Sequence, residues 1–165
     1  MVGASRPASG GEHYLSHCYE MMFMNGGDNT KWLHGNTVGV GVGVVSYAFK
    51  FAKVLDIDEI FEKVDYVHLD INTWKQNIKD VFTISAPNII EFKQDSINFN
   101  EKERKASMQK IRSNWEDIKN ICESFVPEPT EIIKTLKKAG AVWDPKELGL
   151  SKELFRKSFI AAKDM

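Results

Sequence analysis

Apolar positions in this chain recur mostly at three- and four-residue intervals among charged ones, the period of an α-helix rather than the two-residue alternation of a strand. Trp74, Ile78 and Phe82 fall on one helical face behind Asp70, whose carboxylate suits an N-cap. Met108, Ile111, Trp115, Ile118 and Cys122 form a longer stripe, which predicts one helix from Asn100 through Phe125, ended by Pro127 and Pro129. Ser9 with Glu12 three residues on is a capping box, so a first helix is expected from Gly10 to about Met24, before the loop Asn25-Gly26-Gly27-Asp28-Asn29. Asp56 or Asp58 caps a short helix through Val64, and 86–93 adds a turn or two around Pro87. Thr130 to Ala139 reads as a helix stopped by Gly140, Asp144-Pro145 opens a short turn, and Ser151 caps a last helix through Ala162.

The stretch from Val38 to Phe49 breaks this pattern, being almost wholly apolar or glycine. Gly35, Gly39 and Gly43 recur every fourth residue and would line one helical face, letting another backbone approach closely. Val40-Gly41-Val42-Gly43 also alternates as a strand does. Apolar positions continuing through Ala48, Phe51, Ala52 and Leu55 exceed strand length and favour a buried helix. The run is too short for a membrane span, and Lys50 and Lys53 close it.

Composition bounds the class. The 165 residues make one ordinary domain, with 42% hydrophobic and 27% charged residues and a net charge of -1, so nothing global points to nucleic acid or a membrane as partner. Two cysteines, Cys18 and Cys122, are too few for a disulfide scaffold and fit a reducing compartment. The first ten residues hold no apolar run of the kind a secretory signal needs, and a cytoplasmic location is the expectation. No βαβ alternation is visible, nor a glycine-rich turn between strand and helix followed by an acidic residue, the usual mark of dinucleotide binding. The fold class expected is all-α, a single multi-helix domain over 1–165.

Three of the four histidines fall in the first fifth of the chain. His13 and His17 stand four residues apart on the first helix, so their side chains leave one face about 6 Å apart along the axis. His34 opens the glycine helix, where the intervening loop can return it toward His13. Two readings follow: ordinary helix histidines, or donors for a metal ion, imidazole being the commonest neutral ligand. No carboxylate presents itself as a further ligand, since Glu12 lies about 100° from His13 around the helix and Asp28 sits in the loop.

The run Ser5-Arg6-Pro7-Ala8-Ser9-Gly10-Gly11-Glu12-His13, followed by His17 and by Leu33-His34-Gly35 opening a Val/Gly-rich helix, resembles the sn-glycerol-1-phosphate dehydrogenase family. That family stands with the iron-containing alcohol dehydrogenases, glycerol dehydrogenase and dehydroquinate synthase. The motif covers Gly3 to about Val45, and the helical layout with Ala139-Gly140 and Leu148-Gly149-Leu150 extends it to the end. The resemblance implies a C-terminal helical metal and substrate domain of the dehydroquinate synthase-like fold. Its Rossmann-like NAD(P) domain, together with an aspartate ligand, would belong to sequence preceding Met1. It further implies that His13 and His34 are metal ligands for Zn2+, Ni2+ or Fe2+, and that His17 lies against the substrate. The implied reaction is the interconversion of dihydroxyacetone phosphate and sn-glycerol 1-phosphate, with this chain alone inactive.

Arg6, Ser5 and Ser9 precede a helix N-terminus and either attract the substrate phosphate or serve only a surface ion pair and a cap. A glycerol dehydrogenase-like fragment is one alternative. Another is a stand-alone, non-catalytic helical module acting through protein–protein contacts, self-association into a homo-oligomer included. The mixed run Glu101-Lys102-Glu103-Arg104-Lys105 reads as a solvated helix face, His68 as a lone surface or structural residue, and Cys18 points about 140° away from His13 and is no ligand.

Overall fold

The computed structural model describes residues 10–27, 32–65, 68, 70–93 and 100–164, and among these every regular element is a helix. In chain order they are α1 (Gly11–Asn25), α2 (His34–Ala52), α3 (Ile57–Lys63), α4 (Ile71–Phe82), α5 (Ala86–Lys93), α6 (Glu101–Ser113), α7 (Trp115–Phe125), α8 (Pro129–Lys138) and α9 (Lys152–Ala161). Short 3-10 turns join α4 to α5 and follow α9. The all-helical expectation holds, and no single helix among the described residues is long and apolar enough to cross a membrane.

Several caps act where the residue types predict. Asp56, Asp70, Asn100 and Ser151 each accept backbone N–H bonds from the first turn of the helix that follows, which satisfies donors the helix itself leaves open. The start of α1 differs in detail. Gly10 is its N-cap with no side-chain cap, while Glu12 reaches back to accept from the Gly10 N–H at 3.1 Å. Ser9, Arg6 and Ser5 lie outside the described residues, as does Asp28.

α1 and α2 form an antiparallel hairpin, with Gly11 facing Val45, Glu12 facing Gly41, Ser16 facing Thr37 and Glu20 facing His34. The glycine expectation holds at Gly39 and Gly43, where a Cβ would stand 3.0 and 3.6 Å from the backbone carbonyls of Val142 and Trp143, but the closest approach is at Gly41. A Cβ on Gly41 would fall 2.5 Å from the Glu12 carbonyl oxygen, closer than atoms approach, so Gly41 is what lets the two helices meet. Gly35 faces open space. The residue read as complicating the helix is thus the one the packing most requires.

The core lies where this hairpin meets α4 and the C-terminal helices. Leu15, Cys18, Tyr19 and Met22 of α1 pack with Val40, with Trp74, Ile78, Val81 and Phe82 of α4, and with Leu148, Leu150, Ala161 and Ala162. Two buried polar contacts sit among them. Trp74 Nε1 donates to Asp164 Oδ2 at 3.0 Å, and the Cys18 thiol faces the Ser158 carbonyl at 3.7 Å.

The long helix expected from Asn100 to Phe125 is two helices broken at Asn114. The Asn114 side chain donates to the Lys110 carbonyl at 2.7 Å, competing with the backbone pattern as a short amide does. The break lets Trp115 Nε1 donate to the Leu55 carbonyl at 3.3 Å, while Arg112 pairs with Asp58 at 2.6 Å and lies over the Phe61 ring. Periodicity carried straight through the interruption because Asn114 lies between the apolar positions Ile111 and Trp115.

Candidate metal centre

The first turn of α2 is set by Asn36, whose Oδ1 accepts from the Leu33 N–H at 3.1 Å and fixes His34 as the first helical residue. Because α1 and α2 touch at Gly41, that first turn lies beside the middle of α1. The result gathers three imidazoles. The His13 ring lies 4.7 Å from that of His17 and 5.0 Å from that of His34, and His17 lies 5.6 Å from His34, centroid to centroid. His13 is half-buried, while the side chains of His17 and His34 keep 48% and 51% of their surface, so the cluster opens on solvent and admits a ligand.

A carboxylate stands in the cluster that sequence reasoning passed over. Glu20 Oε1 lies 2.6 Å from His34 Nδ1, and Oε2 lies 3.4 Å from His17 Nδ1. Thr37 Oγ1 lies 2.9 Å and Ser16 Oγ 3.2 Å from Oε1, and the two wholly buried hydroxyls lie 2.7 Å apart, so one donates to the carboxylate and the other to its neighbour. Burial alone would push the Glu20 carboxyl up, but bonds from His34, Thr37 and Ser16 together hold it below its ordinary value. The signal was present: Glu20 stands seven residues after His13 and three after His17, two turns along the same face.

Donor atoms of His17, Glu20 and His34 all lie within 4.8 Å of one another, the one such group among the described residues. Two or three imidazoles with a carboxylate suit zinc, nickel or ferrous iron, so the residues present fit a divalent cation of that class. His68 is elsewhere, 70% exposed and paired with Asp65 at 2.7 Å. Cys18 is buried in the core, its thiol pushed up to about 12 by desolvation and lying against the Ser158 carbonyl. An apolar groove of about 930 Å³, lined by Tyr47, Phe51, Trp143, Phe155 and Phe159 among others, holds none of the histidines.

This helical unit with an imidazole-rich open face has relatives among oxidoreductases. The chain is similar to three curated proteins, each named glycerol-1-phosphate dehydrogenase, NAD(P)+. That of Geobacillus stearothermophilus is 26% identical over 162 residues, 98% of this chain and 31% of the relative. The protein of Halalkalibacterium halodurans is 48% identical over 50 residues, 30% of this chain and 12% of its own length. The third, from Methanococcus maripaludis, is 41% identical over 61 residues, 37% and 18% respectively. The chain therefore spans less than a third of the length of each of these relatives. No family model and no solved structure matches it.

Proposed function

We propose that this chain is the metal- and substrate-binding helical half of a glycerol-1-phosphate dehydrogenase-like oxidoreductase. The observation that carries the reading is the convergence of His13, His17 and His34 on one solvent-open face, in a chain similar along 98% of its length to a protein of that name. His13 and His34 would hold the divalent cation, with an aspartate supplied by a nucleotide-binding domain as the third protein ligand. Bound there, such a cation would supply Lewis-acid polarisation of the carbonyl oxygen of dihydroxyacetone phosphate. His17, on the same face one turn from His13, orients a substrate hydroxyl or accepts its proton as a general base. The hydride belongs to NAD(P), whose binding elements this sequence does not show.

In a protein joining this segment to its nucleotide-binding domain, His13→Ala and His34→Ala are expected to lose stoichiometric metal. His17→Ala is expected to keep the metal and raise KM or lower kcat. Retention of full metal in both ligand variants would refute the assignment. The 165-residue chain alone is expected to show no oxidation of NADH with dihydroxyacetone phosphate, since one ligand and the cofactor site lie outside it.

A second reading rests on the apolar groove along α2 and α9, whose exposed Tyr47, Phe51 and Phe159 suit a protein contact. In that reading the chain is a helical module working through association. A monomeric mass at high concentration by size-exclusion with light scattering removes self-association as its basis.

A further inference from the structure

Glu20 forms no part of the ligand set proposed above, yet it touches two of the three imidazoles. It does so through their Nδ1 atoms, from the side of α1 and α2 where Ser16 and Thr37 are buried. A neutral imidazole carries one N–H, and the nitrogen that meets a carboxylate is the one that keeps the proton. Histidines that bind metals commonly donate their second nitrogen to such a carboxylate, which fixes the ring and raises its basicity.

We infer that Glu20 is a positioning residue, holding His34 in the Nδ1–H tautomer so that Nε2 is the free donor atom, and steadying His17 through its second oxygen. The inference rests on the metal reading for its purpose but not for its geometry. Two features support it. Oε1 accepts from His34 Nδ1 at 2.6 Å and from one hydroxyl of the Ser16–Thr37 pair, so both of its lone pairs are engaged. The hydroxyls of Ser16 and Thr37, with one proton each, form a chain that ends on the carboxylate, so Glu20 is itself held. One carboxylate thereby links the proposed ligand His34 to the proposed substrate contact His17, which ties the orientation of one ring to that of the other.

The test is the imidazole nitrogen spectrum of the metal-free chain labelled with 15N-histidine, taken in mildly alkaline buffer. The expected result is His34 in the Nδ1–H form in the wild type. Glu20→Ala shifts His34 toward the Nε2–H form, and Glu20→Gln, which retains an acceptor oxygen, restores Nδ1–H. A wild-type His34 in the Nε2–H form overturns the inference without any variant, as does a tautomer unchanged in a folded Glu20→Ala. Zinc added to the same samples separates this inference from the metal reading. Zinc that leaves His13 and His34 unperturbed in the wild type removes the metal reading while the tautomer result stands. Where zinc does bind, Glu20→Ala is expected to weaken it about 10- to 100-fold, and equal affinity counts against a positioning role.

Discussion

The α1–α2 hairpin and the α6–α7 arm are both helix pairs, but they are built on opposite terms. In the hairpin, residues of both helices are buried, two backbones meet at Gly41, and a hydroxyl pair closes the interior. In the arm, α6 buries no residue and α7 buries only Cys122, and its attachments include the contact of α7 with α2, the Trp115–Leu55 hydrogen bond and the Arg112–Asp58 pair. Side chains can hold a fixed mutual geometry only where the backbones beneath them cannot slide. The imidazole cluster therefore sits on the hairpin, and the arm carries solvated charge.

The largest expected effect follows from breaking that contact. Gly41→Ala places a methyl against the Glu12 backbone, which has no flexible end to yield, and is expected to cost about 3 kcal/mol or prevent folding. Urea denaturation measures it, and a loss under about 0.5 kcal/mol would show that the helices are not held at this point. Next in size is Thr37→Val, which keeps the volume but removes a buried hydroxyl from Ser16 and Glu20, for about 1–2 kcal/mol. The arm should respond far less: Arg112→Ala removes a partly exposed ion pair and is expected to change stability by under about 1 kcal/mol. Parity between the Thr37 and Arg112 variants would erase the distinction between the two regions.

Acid sharpens the contrast from another side. The Glu20 carboxyl is held below its ordinary 4.5 in the folded chain, so it contributes stability that is fully present above pH 4.5 and is lost as pH falls through the lowered folded value. Stability of the Glu20→Gln variant should accordingly vary less with pH in that window than the wild type's. The smallest effect is chemical. Cys18, with its thiol pushed up to about 12, should resist alkylation at about pH 8 until the chain unfolds, which mass spectrometry of labelled peptides reads directly.

The hairpin was also the more legible region. His13, His17 and His34 could be placed together from a four-residue spacing and a loop, because a helix turns sequence distance into direction. Their closeness to Glu20 was equally encoded, in a carboxylate seven residues and two helical turns from His13 rather than beside it in sequence. The register of the glycines could not be read, since Gly35, Gly39, Gly41 and Gly43 differ only in what other segments bring to them. The break at Asn114 was hidden for a related reason. The apolar period runs through it, and the docking of Trp115 on the Leu55 carbonyl is a contact across 60 residues.

The most direct test of the central claim is a zinc titration of the 15N-histidine-labelled chain, followed ring by ring. His13 and His34 should shift together and saturate weakly, with His68 unaffected, and His34→Ala should abolish the response at His13. Zinc that perturbs His68 as much as His13 and His34, or leaves all four imidazoles unchanged, would contradict the assignment of this hairpin as half of a metal-dependent active site.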